Sequence, residues 1–262
     1  SSGSAALYLA LWALNGKNKR IAVPVYSCSS LRNAVGLIGG KSVFIDCTDG
    51  SPNLNFNQVK KKNPDILIAP SMYGIPIIFP KIKNYKVVED LAQAIGAKYE
   101  GKKIGLRGDV GICSFYATKM ITSGGQGGAI ISKNKKIINK IKDFREFDCR
   151  KDSNLRFNFK MTDLQASIGR VQLARLPNFI KKRENWFKIY KKAGLNLIEN
   201  NSKKICPVRY RIVLKCKSPK KIISNLAKSD IKAIIPIKEY ELLDSPKKYQ
   251  IAKKLCQSTV SL

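Results

Sequence analysis

The chain has 262 residues, 44% of them hydrophobic, so it can bury a sizeable core and does not have the composition of a disordered protein. Its formal net charge of +31, from 49 basic and 18 acidic residues, permits attraction to polyanions such as nucleic acid, an anionic lipid surface or a nucleotide. Histidine is absent and the seven cysteines form no C-x-x-C pair, which argues against zinc sites of the usual kind and against catalytic triads with a histidine base.

The first 132 residues alternate short helical and short apolar segments. Helices are predicted at 4–14, 29–38 and 57–62, with Ser2 or Ser4 as the first N-cap, and another is expected to open near Asp90. Strands are predicted at 20–25, 42–46, 65–70, 86–89, 110–116 and 128–132. This alternation predicts an α/β protein with a mostly parallel sheet covered on both faces.

The pattern changes after residue 132. A charged helix is predicted at 135–147 and an amphipathic helix at 162–175, with Leu164, Ile168, Val171 and Leu176 on one face. Pro177 is expected to break that helix before a basic helix at 179–192. In the remaining residues we predict a strand at 210–216, a helix at 219–229, a strand at 232–236, a helix at 246–258 and the beginning of a strand at 259–262.

These segments divide the chain into a large lobe at 1–150, a connecting interface segment at 151–192 and a small C-terminal α/β lobe at 193–262. Both ends look abrupt, since the first residue is not Met and the last predicted strand has nothing after it. We therefore expect a fragment whose two lobes are both truncated. The scattered cysteines are typical of reduced cytoplasmic thiols, and no apolar run reaches the roughly 18 residues that a membrane helix needs.

Two predicted strands end in groups that carry chemistry. The strand Val87-Val88-Glu89 runs into Asp90, and a later strand runs into Ser114 and then Lys119. A glycine-rich turn at 124–125 follows. A pyridoxal phosphate enzyme needs an acid at the pyridine nitrogen, a lysine for the aldehyde and donors for the phosphate. This layout can supply all three, although Asp90 also has the position of a helix cap.

Several segments carry a resemblance to one family. They are residues 87–96, residues 111–119, Ser2-Gly3-Ser4-Ala5-Ala6-Leu7, Val43-Phe44-Ile45-Asp46, Met72-Tyr73-Gly74 and residues 157–166. Taken in chain order, they resemble the DegT/StrS family of sugar-nucleotide aminotransferases from residue 2 to about residue 190. The resemblance implies the fold type I architecture of pyridoxal phosphate enzymes, with a large lobe built on a sheet of the seven-stranded type.

The resemblance also implies roles for residues around the cofactor ring. Lys119 would bind the cofactor aldehyde as a Schiff base and later act as a general base, while Asp90 would pair with the ring nitrogen. Gln93 would lie near the phenolic oxygen. The position that is usually aromatic and stacked on the ring falls at Cys28, which leaves Tyr26 as the candidate for that contact.

Other implied roles concern the phosphate and the partner subunit. Gly3, Ser4 and Ala5 would cradle the phosphate, and Ser114 would supply a hydroxyl. Asn158 would reach the phosphate from the second subunit of a homodimer with shared active sites. Helix capping explains the Ser-Gly-Ser turn equally well, and Asn158 can also be a simple turn residue.

The implied activity is transamination of a nucleotide-linked keto sugar, with glutamate as amino donor, for a surface polysaccharide or glycoconjugate. Gln126 stands where the family usually has Glu, and Ser71-Met72 replaces a common histidine, so the sugar stays open. One alternative is an enzyme on the same scaffold that uses a cyclitol or another keto substrate. A basic protein that binds nucleic acid or an anionic surface without catalysis, and an inactive copy, are the others. The lysine runs are spread along the chain, which favours a solvated surface over a nucleic-acid site.

Overall fold

A six-stranded sheet forms the centre of the part of the chain that the structure describes, residues 1–80 and 84–262 of a computed structural model. Its strands are Arg20–Pro24 (β1), Lys41–Ile45 (β2), Ile66–Pro70 (β3), Lys86–Asp90 (β4), Val110–Ser114 (β7) and Gly128–Ile131 (β8). The strand order is β2-β1-β3-β4-β7-β8, and every neighbouring pair is parallel except β7 and β8. The predicted mostly parallel sheet is confirmed, with six strands among the described residues in place of seven.

Five shorter strands lie outside this sheet. They are Lys98–Tyr99 (β5), Lys102–Lys103 (β6), Ile205–Cys206 (β9), Val213–Lys215 (β10) and Thr259–Ser261 (β11). Strand β10 pairs antiparallel with β11, and β5 lies between β6 and β9. The strand predicted at 232–236 is wrong, because there the described chain makes one isolated bridge, between Ile234 and Ser261.

Seven α-helices lie in the described part of the chain. They are Gly3–Ala13 (α1), Ser29–Leu37 (α2), Phe56–Lys62 (α3), Lys135–Arg145 (α4), Asp163–Lys192 (α5), Pro219–Ala227 (α6) and Gln250–Ser258 (α7). Ile21 and Val23 of β1 pack with α1 and α2, whereas Ala22 between them packs on the other face with Val59 of α3. This period-two alternation with apolar residues on both sides is what a fully covered parallel sheet requires.

Helix α5 corrects the predicted break at Pro177. It runs through that proline without interruption from a capping box at Thr162 and Gln165. Proline removes one intrahelical hydrogen bond, and the helix is held on both sides of it because Leu176 and Phe187 are buried in separate apolar clusters. Tertiary packing therefore outweighs the local propensity.

The surface of α5 differs from the sequence expectation in one respect. Leu164, Ile168 and Val171 are exposed, whereas Leu176 is buried in an apolar cluster that includes Leu91 and Ala94. Within the described residues, no helix is long and apolar enough to cross a membrane.

Candidate active site

A cavity of about 300 Å³ lies at the carboxyl edge of the central sheet, where the parallel strands end. Its lining comes from residues that follow β1 and β3, from the last residues of β4 and β7, and from the N-terminus of α1. Carboxyl ends of parallel strands are the usual place for ligands in open α/β sheets. Of the predicted site residues, Gly3, Ser4, Asp90, Gln93, Ser114 and Lys119 line this cavity.

Asp90 is a buried carboxylate, 5% exposed, that ends β4 on the cavity side. Its Oδ1 accepts the backbone N–H of Ala92 at 2.8 Å, and the described residues provide no donor to its Oδ2. Burial raises the pKa of Asp90, while the Ala92 hydrogen bond and the charge of Lys119 oppose that shift. The predicted helix after Asp90 is a series of turns instead, so the carboxylate caps a turn.

Glu89 holds β4 from its other side. This carboxylate is 2% exposed and accepts hydrogen bonds from the N–H groups of Gly105, Arg107 and Gly108, and from the Arg107 guanidinium. Because consecutive side chains of a strand point to opposite faces, this anchor fixes the strand that presents Asp90 to the cavity.

Lys119 lies on a loop that joins β7 to β8 and folds back on itself. Phe115 donates its N–H to the Gly127 carbonyl at 2.8 Å and accepts from the Ser123 N–H at 3.1 Å, which closes the loop at its base. Gly124 and Gly125 have φ values of +70° and +106°, which favour glycine. The Lys119 ammonium lies 5.6 Å from the centre of the Tyr210 ring. The loop thereby presents the amine to the same cavity as Asp90.

The N-terminus of α1 packs directly against the end of β7. A Cβ on Gly3 would lie 2.6 Å from the Ser114 Cβ, so glycine is what permits this approach. Ser2 caps the helix by accepting the Ala5 N–H on its Oγ, and the first intrahelical bond runs from Ala6 to the Ser2 carbonyl. The N–H groups of Gly3 and Ser4 precede that bond and have no intrahelical acceptor. With the Ser114 hydroxyl they form a donor set for an anion.

Three predicted site residues are not brought into this cavity. Ala5 faces a neighbouring cavity, and its N–H is already taken by Ser2. The prediction that Tyr26 contacts the cofactor ring is wrong, because Tyr26 is fully buried and its hydroxyl forms a hydrogen bond with that of Tyr73. Asn158 is exposed, and its Oδ1 accepts the Lys160 N–H, so its role across a subunit boundary stays a prediction.

Gln93 lines the cavity, with part of its amide already engaged. Its Oε1 accepts the N–H of Tyr73 at 2.7 Å, where the backbone has a positive φ of 57°. The side-chain NH₂ of Gln93 remains available to donate a hydrogen bond to a ligand.

Sequence reasoning did not assign several cavity residues to the site. They are Ser2, Leu7, Ser27, Ser30, Leu31, Pro70, Ala92, Ile112 and Tyr116, while Cys28, Ser71, Met72 and Gln126 were noticed only as departures from the family pattern. A signal existed for Ser27 and Ser30, because they lie in the segment that runs from the end of β1 through the first turn of α2, at the carboxyl edge of the sheet where ligands usually bind.

The cavity fits pyridoxal phosphate on three observations. A buried carboxylate oxygen without a described donor faces it, an amine reaches it, and a helix N-terminus approaches a hydroxyl through a glycine. An acid, a lysine and phosphate donors are the groups by which proteins bind this cofactor.

Comparison with known proteins finds relatives that are named for nucleotide-linked amino sugars. GDP-perosamine synthase from Escherichia coli O157:H7 is 28% identical over 214 residues, which are 76% of this chain and 58% of the relative. A transaminase for UDP-4-amino-4,6-dideoxy-N-acetyl-beta-L-altrosamine from Campylobacter jejuni is 31% identical over 73% of this chain and 56% of its own length. The chain thus spans less than three fifths of these curated relatives.

Among solved structures, the PLP-form of Spr1654 from Streptococcus pneumoniae has a TM-score of 0.87 at 20% identity and covers all of this chain and 80% of its own. That similarity shows the fold, and the same protein has also been solved in a PMP-form. The model of the DegT/DnrJ/EryC1/StrS aminotransferase family matches residues 1–262. The chain therefore belongs to the DegT/DnrJ/EryC1/StrS aminotransferase family.

Proposed function

We propose that this protein transfers an amine from glutamate to a nucleotide-linked keto sugar, with pyridoxal phosphate as cofactor. The observation that carries the proposal is that Asp90 and Lys119, which lie on different segments, face one cavity. Relatives whose names refer to GDP-linked and UDP-linked amino sugars support the substrate class. The product would be an amino sugar for a surface polysaccharide or a glycoconjugate.

Five of the cavity residues would have a defined task in this reaction. The bound cofactor supplies an electron sink for the carbon that loses a proton. Asp90 would accept a hydrogen bond from the ring nitrogen and keep that nitrogen protonated. Lys119 would hold the aldehyde and then, as a free amine, move a proton at the reacting carbon as general base. Gly3, Ser4 and Ser114 would bind the phosphate.

The active site would be completed by a second copy of the chain. On α5, Leu164, Ile168 and Val171 form an exposed apolar stripe, which we name the α5 stripe. Exposed apolar surface of this kind marks protein contacts. Leu155 and Phe157, just before α5 and next to Asn158, are also exposed. A homodimer that covers these residues would carry Asn158 towards the partner's cavity.

The described cysteines are all free thiols, which suits a reducing compartment. We therefore propose that the protein is located in the cytoplasm.

Visible absorption tests the proposal directly. The purified protein is loaded with pyridoxal phosphate, and its spectrum is recorded before and after addition of glutamate. We expect a band from the covalently held cofactor that disappears with glutamate. Lys119→Ala should lack the band, and Lys133→Ala, a change at an exposed lysine, should keep it. A wild-type protein that takes up no cofactor would refute the proposal.

A further inference from the structure

A second cavity, of about 370 Å³, lies beside Lys119 and outside the cofactor site. Two arginines, Arg183 of α5 and Arg211, line it together with the aromatic residues Trp186, Tyr190 and Tyr210. None of the residues that line it is acidic.

The two arginines differ from the neighbouring Arg209 in their charge partners. In the described part of the chain neither Arg183 nor Arg211 forms an ion pair, whereas the neighbouring Arg209 is paired with Glu184 at 3.0 Å. Arg183 donates to the Tyr210 carbonyl at 2.9 Å, and Arg211 donates to the Ser261 hydroxyl at 3.3 Å. Burial lowers the pKa of Arg183, as expected for a cation partly removed from water.

The aromatic groups give the cavity flat apolar walls. Trp186 is 55% exposed, and its ring centre lies 6.2 Å from that of Tyr190, one helical turn away. An exposed tryptophan next to unpaired guanidinium groups is suited to a ligand that has both a flat ring and phosphates. Arginine binds phosphate oxygens through two parallel N–H groups, which fixes orientation as well as charge.

The second cavity lies next to the cofactor site, although no residue lines both cavities. Tyr210 lines the second cavity, and its ring lies 5.6 Å from the Lys119 ammonium. Thr118, the residue before Lys119, also lines it. A substrate whose reacting carbon lies at Lys119 can therefore extend past Tyr210 to the two arginines.

We propose that the cavity between Arg183 and Arg211 binds the nucleoside diphosphate portion of the substrate, with the phosphates on the arginines and the base against Trp186. This inference rests on the proposed function for its substrate class, and it adds where that substrate is held. Neither the family match nor the names of the relatives assign this cavity.

Tryptophan fluorescence provides the test, because Trp12 and Trp186 are the only tryptophans in the sequence. Trp12 packs against Phe144 on another surface, so Trp12→Phe leaves Trp186 as the reporter. The Trp12→Phe protein is first loaded with pyridoxal phosphate. UDP and GDP are then titrated into it, and uridine and inorganic phosphate are titrated separately as probes of the nucleoside part and of the phosphate part. We expect saturable quenching by at least one nucleoside diphosphate and much weaker quenching by inorganic phosphate.

Arginine variants locate the phosphates. Arg211→Gln and Arg183→Gln should each weaken nucleoside diphosphate binding by about tenfold or more, since a charged hydrogen bond is lost. Weak uridine binding should be nearly unchanged. Arg170→Gln, at an exposed arginine of the same helix, is the matched control and should bind like the parent.

Three results would overturn the inference. The first is that neither UDP nor GDP binds. The second is that both arginine variants bind the nucleotides as tightly as the parent protein does. The third is that inorganic phosphate quenches the fluorescence as strongly as the nucleotides do. Cofactor absorption is followed on every sample, which separates the two proposals. Cofactor uptake without nucleotide binding refutes this cavity assignment alone, and nucleotide binding without cofactor uptake refutes the aminotransferase proposal.

Discussion

Replacement of Glu89 by glutamine tests how the strand that carries Asp90 is anchored. Oε1 of Glu89 accepts the N–H groups of Arg107 at 2.6 Å and Gly108 at 2.8 Å. Oε2 accepts the Gly105 N–H at 3.2 Å and the Arg107 guanidinium at 3.0 and 3.2 Å. The carboxylate is therefore surrounded by donors on both oxygens.

Glu89→Gln keeps the shape of the side chain and turns one acceptor into an NH₂ donor. In either amide orientation at least two donors lose their acceptor and face another donor. Each buried unsatisfied group costs about 1–3 kcal/mol, and loss of one partner of a buried ion pair costs about 3–5 kcal/mol. We therefore expect the free energy of unfolding to fall by about 3 kcal/mol.

Urea unfolding followed by circular dichroism measures this change. Glu100→Gln is the matched control, because that carboxylate pairs with Lys204 on the surface and is more than half exposed. The control should unfold like the parent. A loss below about 1 kcal/mol in Glu89→Gln would show that the anchor contributes no more than a surface pair, and the reasoning would be wrong.

Two further predictions concern Asp90 and the α5 stripe. Asp90→Asn should abolish cofactor uptake, yet raise the free energy of unfolding of the cofactor-free protein by about 0.5–2 kcal/mol at pH 7, because a buried charge is removed. Since burial raises the folded pKa of Asp90, the charged form is the costly one. The gain should therefore shrink as pH falls towards the ordinary carboxyl value of about 4, and urea unfolding at both pH values checks this. An equal effect at the two pH values would contradict the argument. Val171→Glu should shift the protein from dimer to monomer in sedimentation velocity, since it places a charge in the α5 stripe. Leu37→Glu, an equivalent change at an exposed leucine of α2, should not. A wild-type monomer at micromolar concentration would refute the dimer.

The order of helices and strands could be predicted from the sequence because each strand is a short apolar run and each helix has a local cap. Strand β3, Ile66–Pro70, is buried at every residue, and Ser2 caps α1 as expected. The position of Asp90 and Lys119 at one cavity was also accessible from the sequence, since the carboxyl ends of parallel strands meet at one edge of a sheet.

Other features depend on contacts between residues far apart in the chain. Local propensity predicts a break at Pro177, but packing of Leu176 and Phe187 holds α5 as one helix. The expected contact of Tyr26 with the cofactor ring is wrong because the Tyr26 hydroxyl forms a buried hydrogen bond with the Tyr73 hydroxyl. Tyr73 is 47 residues away in the sequence, so no local pattern could reveal this contact.

The cavity between Arg183 and Arg211 also has no local signature. The two arginines are 28 positions apart in the sequence, and one of them depends on how α5 lies against residues 209–210. The sequence by itself determined which groups this protein has for the chemistry and the edge of the sheet at which they meet. Only the tertiary structure decided which side chains are exposed there, because exposure depends on packing between distant segments.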